Sequence, residues 1–240
     1  MTRGRRSRGW FITIEGPDGS GKTDQAARLR ARARAAGIPF VLAREPGGTA
    51  AGERIRDILF GSGAVSAGLD RRTDALLFNA SRAQLVAEVV EPGLADGALV
   101  VATRFADSTV AYQGHGSGLS VEDLRTIERF TTAGLRPDLT ILLDLEPEIG
   151  LGRKAVDDHN KFETHFDLDF HRRVRAGYLA MATDEPERFA IVDANRPAGD
   201  VFGDVLRAIG RLPDGPDLGV AGSDSDSRSE PRAARSRIPG

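Results

Sequence analysis

Five short apolar runs rich in β-branched residues punctuate the chain: Trp10 to Ile14, Pro39 to Ala43, Ala98 to Ala102, Leu139 to Leu143 and Phe189 to Val192. Within each run the hydrophobicity is continuous rather than alternating, the pattern of strands covered on both faces. The segments between them carry apolar positions at helical spacing. Residues 21–36 read as a helix stopped by Gly37 and Pro39. Leu76, Leu77, Ala80, Ala83, Gln84 and Ala87 mark a second helix over 71–91 that stops before Pro92. Ser120 with Asp123 reads as an N-cap opening a helix to about Ala133, and 165–182 and 198–210 supply two more. Strands alternating with crossover helices predict one α/β domain, a five-stranded parallel sheet flanked by helices.

Both ends depart from this pattern. Residues 1–9 carry Arg3, Arg5, Arg6 and Arg8 with no apolar stretch behind them, which predicts a disordered basic arm rather than a secretory signal. From Leu212 to Gly240 the chain is Pro, Gly, Ser, Asp and Arg with almost no bulky apolar side chains. Such a stretch cannot offset its ordering entropy, so 212–240 is expected to be disordered and the folded domain to span 10–211.

A chain of 240 residues, 40% hydrophobic and 28% charged, is long enough for one well-buried core. Having no cysteine excludes disulfides, thiolate metal sites and a cysteine nucleophile. No apolar run approaches the roughly 18 residues of a membrane span, so no membrane partner and a cytoplasmic location are expected. A net charge of -2 argues against specific nucleic-acid binding as the main task. His115, His159, His165 and His171 do not converge on a metal-ligand spacing.

The strongest chemical signal is Gly16-Pro17-Asp18-Gly19-Ser20-Gly21-Lys22-Thr23, which fits G-x-x-x-x-G-K-[ST] and lies between the first strand and the first helix. Glycines let the backbone wrap an anion while consecutive N–H groups and the helix N-terminus point at it. Lys22 is placed to neutralise β- and γ-phosphate charge, and the Thr23 hydroxyl to ligate Mg²⁺. These residues predict a nucleoside triphosphate site in a P-loop NTPase fold and leave the phosphoryl acceptor open.

Three further stretches bear on the acceptor: Arg44-Glu45-Pro46-Gly47-Gly48-Thr49, Phe78-Asn79-Ala80-Ser81-Arg82-Ala83-Gln84, and Arg104 through Gly114. With the phosphate loop they resemble, in consistent order over about 10–210, the thymidylate kinases, P-loop nucleoside monophosphate kinases that phosphorylate dTMP to dTDP. The resemblance implies ATP and dTMP as ligands, Mg²⁺ as cofactor and a homodimer. It implies that Phe78 stacks on thymine, that Arg82 donates to thymine O4, and that Ser108 and Gln113 lie near the pyrimidine edge. Tyr112 would lie under the sugar, Asp18 would accept from the sugar 3′-hydroxyl, and Arg56 and Arg104 would hold the acceptor monophosphate. Some thymidylate kinases carry an arginine within the phosphate loop; Gly19 at that position implies the type that supplies cations from a lid. The expected lid covers about 152–163, with Arg153, Lys154 and Lys161 as its cations.

Several positions depart from the family pattern. Thr103 stands where an Asp usually precedes the arginine after strand three, removing a negative charge close to Mg²⁺ and leaving Asp107 or Glu45 as substitutes. Asp24 adds an anion beside the phosphate-binding helix start, and Lys161 stands where arginine is common. Besides dTMP kinase, these departures leave two other expectations: a kinase of another or modified pyrimidine deoxynucleotide, and a nucleotide-binding homologue with weak or no catalysis.

Overall fold

The computed structural model describes residues 8–61, 68–157 and 167–219. Its strands are β1 (Trp10–Glu15), β2 (Phe40–Arg44), β3 (Leu99–Thr103), β4 (Leu139–Asp144) and β5 (Phe189–Asp193), each within one residue or so of the apolar run that predicted it. They form one sheet in the order β2-β3-β1-β4-β5, and every neighbouring pair is parallel. In chain order the helices are α1 (Lys22–Ala35), α2 (Ala50–Phe60), α3 (Arg71–Leu85), α4 (Glu91–Ala95), α5 (Ala106–Thr109), α6 (Val121–Thr131), α7 (Pro147–Asp157), α8 (Leu168–Asp184) and α9 (Ala198–Gly210).

Both faces of the three central strands, β3, β1 and β4, are buried, the physical reason these strands read as unbroken apolar runs, whereas the edge strands β2 and β5 leave Leu42 (42%) and Ile191 (55%) exposed. Ile12, Ile14, Leu99, Val101, Ile141 and Leu143 pack under Ala26, Leu29 and Ala33 of α1 and Val201 and Val205 of α9. Phe11, Val100 and Ala102 point the other way, onto Leu85, Val86, Val90 and Leu94. Leu142 meets Phe170, Val174 and Tyr178 of α8. With β1 at the centre, its carboxyl end and those of β3 and β2 lie at the edge where open parallel sheets bind ligands.

Three expectations need correction. The helix from Arg71 does not stop before Pro92: it runs on through a π-helical turn, Val86–Val90, into α4. Pro92 lacks the N–H that would bond back along an α-helix, and its ring crowds the carbonyl four residues earlier. A wider turn just before it relieves that conflict. The basic arm does not reach residue 9, because Arg8 forms a two-bond ion pair with Asp138 at 3.0 and 2.9 Å. Nor does order end at 211. Leu218 is buried in the core, Trp10 Nε1 donates to the Asp214 carbonyl at 2.9 Å, and Arg32 donates to the carbonyl of Leu218. Leu218, with Leu212 packed against the same core and these hydrogen bonds, docks a segment whose average composition is polar. The rest of the expected arm and tail, residues 1–7 and 220–240, lies outside the described residues.

Helix α2 is not among the expected elements; it buries only Gly52 and Leu59. Its start is legible in retrospect, since Thr49 Oγ1 caps it by accepting from Gly52 N at 2.9 Å.

Candidate active site

From Glu15, at the end of β1, the chain turns through the phosphate loop into α1. Gly16 adopts a left-handed backbone, and a Cβ there would run into the Leu143 carbonyl. Gly19 is left-handed too, and a side chain at this position would collide with the backbone of Gly150 in α7. A loop arginine at 19 therefore has no room. Lys22 folds back over the loop, its Nζ donating to the carbonyls of Gly16 (2.9 Å) and Pro17 (2.7 Å) and to Ser20 Oγ (3.3 Å). No side chain caps the start of α1, which leaves its first N–H groups directed at the loop mouth. Asp24, the unexpected acid there, also lines the cavity and pairs with Arg28 one turn on at 2.7 Å, which offsets part of its charge.

The loop opens on a cavity of about 420 Å³ that holds most of the predicted residues in one space. Asp18, Gly19, Gly21, Lys22 and Thr23 line one end; Arg56, Phe78, Arg82, Arg104, Ser108, Tyr112 and Gln113 line the rest, with Thr103 between. Gly16, Pro17 and Ser20 sit beneath the loop as its frame, and Arg153 stands outside, donating to the Gly19 (3.4 Å) and Ala194 (3.2 Å) carbonyls. Lys161 and the side chain of Lys154 lie outside the described residues, as does the lid beyond 157; its first residues, 152–157, are the last turns of α7.

Arg104 occupies the junction of the two ends. Its backbone is left-handed, φ 69°, a conformation that costs a non-glycine residue about 1–2 kcal/mol. The turn sends its guanidinium back over β1, where it pairs with Asp18, donates to Tyr112 Oη at 3.0 Å and stacks 4.7 Å from the Tyr112 ring. Tyr112 in turn donates to Asp18 at 2.9 Å. On the far wall Arg56 donates to the Pro46 carbonyl at 3.1 Å and stacks on Phe60, which meets Phe78 edge to face. Burial and the neighbouring charge of Arg44 hold the Arg56 guanidinium below its ordinary pKa. Arg44, also in the cavity wall, pairs with Glu53 at 2.6 Å, and Glu53 and Asp57 partly offset the crowding of the two guanidinium groups.

Arg82 is more committed than expected of a base-reading residue. It is 1% exposed, its Nε reaches Glu45 at 2.9 Å, one terminal nitrogen donates to Asn79 Oδ1, and the other to the Phe105 carbonyl and Thr109 Oγ1. Four of its five N–H groups are thus used inside the protein, and its charge is met by Glu45. Ser108 is likewise drawn from the pyrimidine edge into the floor, donating to Glu15 at 2.6 Å beside the Tyr178 hydroxyl. Neither substitute for the missing acid at 103 is free. Asp107 is buried against Arg188 at 2.6 and 2.9 Å, away from the cavity, and Glu45 is held by Arg82.

The residue that the sequence reading passed over is Glu15. Fully buried at the end of β1, it accepts from Phe105 N (2.7 Å), Ser108 Oγ (2.6 Å) and Tyr178 Oη (3.0 Å), and so pins the turn that carries Arg104. An acid closing an otherwise apolar strand, one residue before the phosphate loop, was the available signal. Burial, and secondarily the charge of Asp107, push its carboxyl from 4.5 up to about 7. In that window the folded protein holds a proton that the unfolded chain has released, so stability falls as pH rises from about 4.5 to about 7. Glu15→Gln is expected to remove this part of the slope, on the order of a few kcal/mol, in denaturant titrations at pH 5 and pH 8. Equal pH dependence of the two proteins would show that Glu15 keeps an ordinary acidity.

A glycine-lined anion loop at the carboxyl edge of a parallel sheet, facing a wall of arginines and an aromatic ring across one cavity, defines a P-loop nucleotide-binding α/β protein. The model of the thymidylate kinase family matches residues 14–205, and the chain belongs to that family. It is 48% identical over 203 residues to a thymidylate kinase of Deinococcus radiodurans, covering 85% of this chain and 97% of that one. It is 45% identical over 208 residues to a thymidylate kinase of Chromobacterium violaceum, covering 85% and 95% respectively. A crystal structure of thymidylate kinase from Ehrlichia chaffeensis superposes with a TM-score of 0.67 at 31% identity, covering 83% of this chain and 97% of the other.

Among the described residues no group of three or more His, Cys, Asp or Glu side chains is placed to hold a metal ion by itself. No described helix is long and apolar enough to cross a membrane.

Proposed function

We propose that the protein transfers the γ-phosphoryl group of ATP to the 5′-phosphate of dTMP, giving dTDP and ADP. The observation that carries this reading is the single cavity in which Lys22 and the loop face Arg104, Arg56, Phe78 and Arg82. A phosphate oxygen of dTMP attacks the γ-phosphorus, a P–O bond forms to it, and the bond to the β-phosphate oxygen of ADP breaks. The nucleophile is already anionic, so the protein needs no strong general base. Its contribution is alignment and neutralisation of spread charge.

Lys22 covers the β- and γ-oxygens. Arg104, braced by Asp18 and Tyr112, grips the acceptor phosphate together with Arg56. Phe78 offers its face to the base, and the one remaining N–H of Arg82 donates to the carbonyl at position 4. Asp18 accepts from the sugar hydroxyl while keeping Arg104, since an ionised carboxylate has lone pairs for both. Arg153 lies on the adenosine side of the loop, and Lys161 in the lid completes the set of cations.

The donor set fits Mg²⁺ held mostly by phosphates and water, with the Thr23 hydroxyl as the protein ligand, because this ion keeps several waters and takes few side chains. When bound it would neutralise charge on the β- and γ-phosphates. Thr103, in the same cavity, supplies a hydroxyl but no charge. Thr103→Asp is expected to lower several-fold the Mg²⁺ concentration giving half-maximal turnover; an unshifted Mg²⁺ titration would mean that another group already serves.

An ADP-release assay with dTMP, dUMP, dCMP and dGMP tests the reading. Turnover confined to another monophosphate selects a different pyrimidine kinase, and binding of ATP and dTMP without ADP release selects a nucleotide-binding homologue. A homodimer is part of the proposal, supported by Leu76 on α3 and Phe130 on α6, which stay 53% and 88% exposed on two helices that pack together. Sedimentation equilibrium showing only monomer at assay concentrations would remove it.

A further inference from the structure

Helix α3 places Asp74, Phe78 and Arg82 at successive intervals of four, along one stripe of its surface. Phe78 and Arg82 belong to the site proposed above, but Asp74 does not line the cavity and no step of the chemistry uses it. It reaches instead across to the π-helical turn Val110–Gly116, where Gln113 Nε2 donates to Asp74 Oδ2 at 2.8 Å. The other oxygen, Asp74 Oδ1, is buried with no hydrogen-bond partner among the described residues. Desolvation accordingly raises the carboxyl above its ordinary pKa, against the pull of Gln113.

A carboxylate only accepts, so the amide of Gln113 must turn its nitrogen to Asp74 and its oxygen the other way. Gln113 lines the cavity, and no donor among the described residues bonds to its Oε1. Resting on the dTMP reading, we infer that Asp74 is a positioning residue for base choice: it fixes the Gln113 amide with Oε1 toward the pyrimidine, where it accepts the imide N3–H. A pyrimidine ring of this kind has a single N–H donor, and it adjoins the carbonyl that Arg82 is placed to meet. The site therefore offers one donor and one acceptor side by side. Thymine presents the complementary pair, the O4 acceptor and the N3–H donor. Cytosine presents the reverse, an amino donor and a bare ring nitrogen, and leaves both protein groups unpaired.

Without the charge at 74 the polarity is no longer enforced. In Asp74→Asn the new amide can either accept from Gln113 or donate to it, so Gln113 can turn either end to the base. The expected result is a fall of about tenfold or more in the ratio of kcat/KM for dTMP over dCMP, with the KM for ATP unchanged. The double variant Asp74→Asn with Gln113→Glu restores the pattern by exchange: the introduced amide donates, the introduced carboxylate accepts, and an oxygen again faces N3–H. Its ratio is expected to return toward that of the unmodified protein.

Gln113→Leu, which keeps Asp74, is the check if asparagine at 74 does not fold. It too should lower the ratio, by removing the acceptor. An unchanged ratio in the folded variants, or equal losses for dTMP and dCMP, would overturn the role of Asp74 while leaving the kinase reading intact. An unmodified protein that phosphorylates neither nucleotide overturns both.

Discussion

Lys22→Ala is expected to reduce kcat for ADP release by about a thousandfold or more, the scale on which a preorganised cation on a transferring phosphoryl group acts. The ammonium is already drawn over the loop by the Gly16 and Pro17 carbonyls, so its charge stands at the loop mouth before any ligand arrives. The same geometry limits the structural loss. Lys22 is only partly buried, and its three hydrogen bonds to a surface loop are worth about 1 kcal/mol each net once water replaces them. The unfolding midpoint should therefore fall by about 10 °C or less, and the KM for dTMP should stay within a few-fold, because the acceptor wall is untouched. A variant keeping more than a tenth of the original kcat would place the triphosphate elsewhere.

Arg82→Ala is expected to act on both stability and recognition, in contrast to a residue that only reads a base. The guanidinium is the partner of a carboxylate that is itself 3% exposed. Burial already raises the Glu45 carboxyl above its ordinary pKa despite Arg82, and without Arg82 nothing offsets that burial. Breaking such a pair costs about 3–5 kcal/mol, and the acceptors at Asn79, Phe105 and Thr109 lose their donor as well. In a domain of this size that corresponds to a fall in Tm of roughly 10 °C or more. Replacing both partners, Arg82→Met with Glu45→Leu, should recover most of the stability but not the kcat/KM for dTMP. If Arg82→Ala melts with the unmodified protein, the ion pair is not what holds this wall; if the double replacement recovers turnover, Arg82 does not meet the base.

Sheet and site were unequally legible. All five strands and the phosphate loop could be read from the chain because their signals are local: an unbroken run of β-branched and other apolar residues marks a strand, with burial on both faces at β3, β1 and β4, and the glycines before Lys22 mean a backbone wrapped on an anion. The acceptor residues were legible only through the family resemblance, since Phe78 and Arg82 lie on one helix and Arg104 and Gln113 on another stretch, and nothing in the chain says that the two meet. Two boundaries were misread for different reasons: the widened turn at Val86–Val90 absorbs Pro92 locally, whereas Leu218 packs in the core formed with α1, far from it in sequence.

What the amino-acid order determined by itself was therefore the α/β class, the strand positions, the anion loop and the types of side chain available for chemistry. Only the tertiary structure decided how those side chains spend their charges and hydrogen bonds. Arg82 is tied to Glu45, Asp107 to Arg188, Ser108 to Glu15, and Gln113 to Asp74. The reason is the reach of the interactions: burial pattern and backbone conformation depend on near neighbours along the chain. A buried polar group instead takes its role from whatever partner the fold brings within about 3 Å, here between 37 and 93 residues away.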